Sequence, residues 1–166
     1  MSNPEMILAF DTYDHLKKIV DAKGADYVYE ESFYDNCMYW DYEKDTPSCI
    51  VGHYFYEKGF IRDSEDARRI ENSIATIPIS MFEHTQHVEF SQAAKALLLA
   101  AQQRQDRGWT WGHALAFGLE VAHYCIDQIG EADVDSVAFI DRAIQICLNE
   151  WYERGDFPLY GVEELA

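Results

Sequence analysis

One segment decides the fold: TPSCIVGHYFYEKG, residues 46–59. Thr46 can cap the free amides of a first helical turn, and Pro47 suits the first helical position, where its missing N–H is not needed. Gly59 can adopt the left-handed conformation that ends a helix. Because the body between these ends is apolar, we predict a core helix over residues 47–58, with the rest of the chain built around it.

The segment before this helix has the pattern of two strands. Residues 27–29 and 37–40 are β-prone, and Asp35-Asn36 between them is a turn signal. These features predict a small antiparallel β-hairpin at about residues 26–42. Two strands alone are marginal in water, so one face of the hairpin should pack on helices.

Apolar residues at helical spacing, with capping residues and terminal glycines, predict five further helices. They span residues 12–23, 64–74, 91–107, 110–129 and 134–154. The fold class is therefore α+β, mainly α, with three long C-terminal helices, shorter N-terminal helices and the hairpin. A chain of 166 residues fits a single compact domain, residues 1–166.

The formal charge of −17 opposes direct binding to nucleic acid, since that affinity comes largely from lysine and arginine at phosphates. Acids outnumber bases in both halves of the chain, so the charge belongs to the whole surface. It can serve solubility alone, or it can attract a basic protein partner or imitate nucleic acid.

The sequence shows no leader segment and no apolar run long enough to cross a bilayer, so we expect a soluble, cytoplasmic protein without a membrane partner. Its cysteines are widely spaced and include no C-x-x-C motif. They are Cys37, Cys49, Cys125 and Cys147. We expect reduced, buried thiols rather than a disulfide framework.

Cys49 and His53 are the candidate catalytic pair. In the predicted helix Cys49 lies in the first turn, where free amides stabilise a thiolate, and His53 follows one turn later on the same face. A cysteine beside a histidine is a known nucleophilic arrangement. The neighbouring Ile50 and Val51 favour the alternative, in which Cys49 is a small core residue.

Two pairs of residues are weak metal-site candidates. His84-x-x-His87 has the spacing of a single-metal site, and Glu120-x-x-His123 resembles half of a di-iron bundle site. No second E-x-x-H exists to complete the latter. Ordinary polar surface residues are the favoured interpretation of both pairs, so no cofactor is expected.

The acidic aromatic segment, residues 26–45, is the nearest feature to a recognition surface. Tyrosine and tryptophan among charges are typical of protein interfaces. Its protein-binding candidates are Asp26, Tyr29, Glu30, Glu31, Tyr34, Asp35, Trp40 and Asp41. The alternative is a hairpin whose rings pack inward and whose acids are solvated.

Three stretches of the sequence together resemble a pattern in small uncharacterised proteins of actinobacteria and their phages. They are Asp26-Tyr27-Val28-Tyr29 followed by Cys37, then PSCIVGH at residues 47–53 with Gly59, and QDRGWTWGHAL at residues 105–115. No activity is known for that group. The resemblance implies a phage or mobile-element context, with localisation in the cytoplasm of a bacterial host, and nothing about mechanism.

The sequence contains no P-loop, dinucleotide, zincin or nucleophile-elbow motif. The leading hypothesis is a non-enzymatic, acidic protein that binds another protein, as a phage product that modulates a host factor and in one form mimics nucleic acid. The first alternative is a small enzyme using Cys49 and His53 or a histidine–glutamate metal site. The second alternative is a structural homo-oligomer.

Overall fold

The computed structural model describes residues 2–29, 38–71, 79–129 and 137–155, and these confirm a mainly helical α+β fold. Two small sheets accompany the helices. The helices are α1 (Ala9–Lys23), α2 (Ile50–Glu57), α3 (Ser64–Glu71), α4 (Ile79–Gln86), α5 (Gln92–Asp106), α6 (Trp111–Ile129) and α7 (Val137–Arg154). The strands are β1 (Glu5–Ile7), β2 (Trp40–Asp41), β3 (Thr46–Pro47) and β4 (Val88–Phe90).

The antiparallel pair differs from the predicted hairpin at residues 26–42. In the structure Trp40 lies opposite Pro47 and Asp41 opposite Thr46, so β2 pairs with β3. Val28 forms an isolated antiparallel bridge with Thr110 instead. Residues 30–37 of the predicted hairpin lie outside the described residues. The backbone groups assigned to one hairpin thus pair elsewhere: those of Trp40 and Asp41 with the nearby β3, and those of Val28 with the distant Thr110.

The core helix α2 begins later than predicted, because Thr46 and Pro47 belong to a strand. Ser48 and Cys49 donate their backbone N–H groups to the carbonyl oxygens of Tyr39 and Met38, at 3.0 and 3.2 Å. Pro47 is tolerated in this strand because the next residue, Ser48, supplies the backbone N–H donor. Cys49, rather than Thr46, is therefore the N-cap residue.

A second sheet, not predicted from the sequence, joins the start of the chain to its middle. Strand β1 runs parallel to β4, with Ile7 opposite Phe90. This pairing leads directly into α1, which begins at Ala9 instead of residue 12. Leu8 takes the N-cap position and forms no side-chain cap bond. Thr12, a predicted cap, lies within the first turn and donates its hydroxyl to the Leu8 carbonyl at 3.1 Å.

Helix α4 lies in a region where the sequence predicts no helix. Its Ile79 and Phe82 are buried. The Phe82 ring meets Phe55 of α2 at 4.6 Å between centroids and Phe60 at 5.2 Å. Contacts with a distant helix therefore order a segment whose own pattern is weak.

The C-terminal helices form the predicted helical layer. Helices α5 and α6 approach closely, since a Cβ added at Gly118 would lie 2.9 Å from the Leu97 Cδ1 atom. Helix α7 completes the layer through Trp151, whose ring stacks on Trp109 at 5.6 Å. Within the described ranges, no helix is both long and apolar enough to span a membrane.

Candidate functional site

The thiol of Cys49 is a helix cap buried in the core. It is fully inaccessible to solvent and accepts the backbone N–H of Gly52 at 3.3 Å. The side-chain amide of Gln102, on α5, approaches the same sulfur at 3.7 Å. Because the sulfur faces protein groups only, a substrate has no route to it without local opening of the fold.

The imidazole of His53 contacts the backbone of Cys49 instead of its thiol. Its Nδ1 atom lies 3.0 Å from the Cys49 carbonyl oxygen, which can only accept, so Nδ1 carries the proton. The ring is edge-on to Trp111 at 5.4 Å between centroids. Burial lowers the pKa of His53. In the described structure no hydrogen bond joins the two candidate catalytic side chains.

Two residues of α5 complete a polar network around the start of α2. Gln105 accepts the backbone N–H of Ile50 at 2.8 Å and donates its amide to Asp106 at 3.0 Å. Burial raises the pKa of Asp106 to about 6, against opposing effects of the Gln105 bond and of Arg104 and Arg107. We call Cys49, Gln102, Gln105 and Asp106 the α2 anchor.

Sequence reasoning missed the α5 members of the α2 anchor. Gln102 and Gln105 are buried, although glutamine spacing on an amphipathic helix predicts a solvated face. The Ile50–Gln105 bond joins residues 55 positions apart, so no local pattern reveals it. A carboxyl with a perturbed pKa is typical of active sites, but Asp106 accepts from a glutamine that holds the start of a helix.

The acidic aromatic segment turns its described rings inward. Trp40 is only 3% exposed, and its indole N–H donates to Asp45 at 3.1 Å. Tyr29 is buried, with its hydroxyl 2.8 Å from the Ser48 hydroxyl. Asp41 accepts the backbone N–H groups of Glu43 and Lys44, both at 3.0 Å.

The other candidates of this segment are divided. Asp26 is exposed, whereas Glu30, Glu31, Tyr34 and Asp35 lie outside the described residues. A carboxylate from α3 holds the segment in place: Glu71 accepts the backbone N–H of Tyr39 at 2.5 Å and of Trp40 at 3.3 Å. Glu71 also accepts the Tyr42 hydroxyl, and burial followed by this bond raises the pKa of Tyr42.

The metal-site candidates do not come together. His84 is exposed on α4, and His87 uses its Nε2 atom on the Ser2 carbonyl at 3.0 Å. Glu120 accepts the Trp151 indole N–H at 2.5 Å and the Arg154 guanidinium at 3.2 Å, while His123 is exposed. No group of three or more potential ligands occurs among the residues that the structure describes.

The remaining described cysteines are core residues of the helical layer. Cys125 and Cys147 are free and buried on α6 and α7. Burial raises the pKa of Cys125 to about 11 and is the main cause raising that of Cys147 to about 12. Both thiols therefore remain protonated at neutral pH and are poor nucleophiles.

An open cleft of about 250 Å³ lies between α3 and α4. Its floor is apolar, with Phe60 and Phe82, and its rim carries Arg62 and Arg69. Both arginines already bind Asp66, Arg62 through Nε at 2.9 Å and Arg69 at 3.7 Å. The connection between these two helices, residues 72–78, lies outside the described residues.

The start of the chain exposes apolar side chains. We call Met6, Leu8 and Phe10 the N-terminal ridge; they are 43%, 43% and 64% exposed. Beside Phe10 is a hollow of about 10 Å³ on the surface of α6, lined by Ala9, Leu119, Ala122, His123 and Ile126. Residues 6–10 are all apolar and the run is too short to assign from sequence, so the alternation of exposed and buried side chains appears only in the structure.

Comparison with known proteins brings no assignment to any of these features. No protein-family model, curated protein or solved structure matches the chain. The function is therefore inferred from the side chains of this chain, their contacts and their charges.

Proposed function

We propose that this chain is a non-enzymatic, acidic protein that binds a basic region of another protein. The observation that carries the proposal is an excess of exposed carboxylates without cation partners. None of the carboxylates in the described part of the chain is fully buried. Those that are exposed and form no ion pair there are Glu5, Asp14, Asp26, Glu43, Asp45, Glu57, Asp63, Asp127, Asp141, Glu150 and Glu153.

Such a surface favours encounter with a positively charged partner. Uncompensated charges raise the association rate of complementary proteins, and the effect weakens as salt screens them. The existing ion pairs are mostly local, such as Lys17–Asp21 at 2.5 Å and Arg62–Asp66 at 2.9 Å. The net charge of −17 already counts every lysine and arginine, so these pairs do not reduce it.

The enzyme alternative has less support. Cys49 caps a helix, His53 bonds a carbonyl and Glu120 holds two partners on α7. Each of these polar groups therefore has a structural role that accounts for its position. Rapid alkylation of Cys49 in the native protein at neutral pH, or stoichiometric metal in protein purified without an affinity tag, would favour the enzyme.

The resemblance of the PSCIVGH stretch to actinobacterial and phage proteins adds the biological context to this proposal. In that context the protein is a phage or mobile-element product that acts in the bacterial cytoplasm and modulates a host factor. Nucleic-acid mimicry is a special form of the same proposal. It requires the partner to bind DNA or RNA through the surface that binds this chain, so DNA should compete for that partner.

The test is affinity capture from an actinobacterial lysate, followed by binding measurements with the purified partner. We expect one dominant partner whose Kd weakens at least about tenfold between about 0.05 and 0.5 M salt, because the Debye length falls over this range. A charge-neutralised variant, Glu150→Gln with Glu153→Gln, tests whether the carboxylates of α7 contribute to this binding. No partner, or a partner indifferent to salt, would contradict the proposal.

A homo-oligomer is a separate outcome of the same study. Two copies of this chain each carry a charge of −17 and repel one another. The solution mass measured at low and high salt distinguishes this case. A stable dimer at low salt would replace the partner hypothesis with the structural alternative.

A further inference from the structure

We infer that the N-terminal ridge is the docking surface for a helical segment of the partner that carries apolar residues between lysines or arginines. This inference rests on the proposed function and assigns the binding to a particular surface. It also moves the recognition surface from the acidic aromatic segment to the junction of β1, α1 and α6.

The fold itself keeps the ridge exposed. Pairing of β1 with β4 buries Ile7, so its neighbours Met6 and Leu8 project from the opposite face. In α1, Ala9 is buried, and Phe10 consequently lies on the outer side of the first turn. Three large apolar residues are thus grouped where no described element covers them, and contiguous exposed apolar surface marks interaction sites.

The hollow beside Phe10 fits the tip of an apolar side chain. Its volume of about 10 Å³ corresponds to roughly one water molecule, far below the space that a small-molecule ligand needs. Its lining is almost entirely apolar, with His123 as the polar exception. An occupant can therefore insert only one branched or terminal methyl group, and the rest of it must lie outside the hollow.

The short strand argues for a helical occupant over an added strand. Glu5 donates its N–H to the His87 carbonyl at 3.3 Å, and Ile7 accepts from the Ser91 N–H at 2.9 Å. Both residues therefore direct their backbone groups toward β4. Only Met6 directs its N–H and carbonyl to the outer edge, which is too little for strand addition.

Charge determines the flanking residues of the occupant. Asp14 lies one turn after Phe10 on the same face of α1, and Asp127 lies one turn after His123 on α6. Neither carboxylate has a cation partner within the described residues. Lys18 lies one turn after Asp14 and about 12 Å from Phe10 along the helix axis, and no ion pair joins Lys18 to Asp14. A second copy of this acidic chain would bring the wrong charge.

The test uses two designed helical peptides as probes. One has leucines on a single face flanked by lysines, and the other has the same leucine pattern flanked by glutamates. Fluorescence anisotropy with the full chain should show binding of the lysine peptide only, weakening with salt. Equal binding of both peptides, or of neither, would overturn the inference.

Substitutions then locate the contact. Phe10→Ser should weaken binding of the lysine peptide about tenfold or more, the loss expected at an apolar interface anchor. Phe10→Leu should retain most of the binding of the lysine peptide. The matched control is Tyr152→Ser on α7, where Tyr152 is 59% exposed. If Tyr152→Ser weakens binding as much as Phe10→Ser, the ridge is not the site.

A photoreactive benzophenone amino acid in place of Phe10 identifies the natural occupant. A crosslink to a basic segment of the captured partner supports the inference. Crosslinks to a second copy, or to residues 156–166 of the same chain, overturn it. The inference and the proposed function fail separately. A salt-sensitive partner that still binds Phe10→Ser contradicts the role of the ridge as docking surface but not the proposed function.

Discussion

The α2 anchor and the N-terminal ridge are opposite in chemistry and in exposure. The anchor groups a thiol, two amides and a carboxyl, and its sulfur and both amides are buried. The ridge has three apolar side chains, all of them exposed. Of these two regions, the one with reactive and polar groups lies in the core, and the one that is purely apolar is exposed to solvent.

This contrast shows that residue type alone does not locate a functional surface. A buried polar group must find partners inside the protein, so its hydrogen bonds describe how the fold is held. An exposed apolar group needs no hydrogen-bond partner, so its burial against another protein costs no hydrogen bond. Four predictions can break or sharpen the contrast.

The largest effect is expected at Gly52, which seats α2 against the strand region. A Cβ at this position would lie 2.2 Å from the Tyr39 carbonyl oxygen and 2.9 Å from the Tyr39 Cα. Because these are backbone atoms, Gly52→Ala should cost about 4 kcal/mol in the free energy of unfolding, or prevent folding. Urea denaturation measures this. Gly24→Ala, with a positive φ of 104° and open space around it, should cost only about 1 kcal/mol; equal effects would contradict the packing argument.

The next effect depends on pH and concerns Asp106. Burial raises its folded-state pKa to about 6, so its protonated form favours folding. That contribution is complete below about pH 4 and is lost as pH rises through about 6, at a cost of up to about 3 kcal/mol. Asp106→Asn keeps an oxygen for Gln105 and should be more stable than wild type at pH 8 but equal at pH 4. Asp141→Asn, at an exposed site, is the control for the loss of one negative charge.

A smaller effect separates the two anchor glutamines. Gln105→Leu leaves the buried Ile50 N–H without its acceptor and should cost about 2 kcal/mol. Gln102→Leu removes a buried carbonyl oxygen that has no hydrogen-bond partner, so it should be neutral or slightly stabilising. Denaturation midpoints of the two variants test this order. The reverse order would mean that the sulfur contact of Gln102 is the stronger part of the anchor.

The smallest effect on stability is expected at the ridge. Phe10→Ser should change the free energy of unfolding by less than about 0.5 kcal/mol, because the ring is 64% exposed. The same variant should lose binding of the lysine peptide. A large loss of stability would show that Phe10 belongs to the core and would remove the contrast with the anchor.

Local signals predicted the long helices well. The predicted helix at residues 91–107 is observed as Gln92–Asp106, and the predicted helix at 110–129 as Trp111–Ile129. Ser91 caps α5 by accepting the Ala94 N–H at 3.1 Å, as its position before an apolar stripe indicates. These features depend on residues within a few positions of one another, so the sequence carries them directly.

Contacts outside the local helix pattern explain two differences from the sequence expectations. Thr46 and Pro47 have good capping chemistry, yet their pairing with Trp40 and Asp41, five to seven residues earlier, moved the helix start to Ile50. Helix α4 has a weak apolar stripe and is ordered by ring contacts with Phe55 and Phe60, more than twenty residues earlier. In both cases the deciding contact comes from a residue outside the helix itself.

The sequence alone determined the acidic surface, the helical class and the positions of the long C-terminal helices, because charge is additive and helix signals are local. Only the tertiary structure decided that Cys49 and His53 bond to the protein backbone, that Trp40 lies in the core, and that Phe10 remains exposed. Burial depends on which distant segments pack together. The segment at residues 46–59 contains a largely buried helix, α2, while the proposed recognition surface lies at the beginning of the chain.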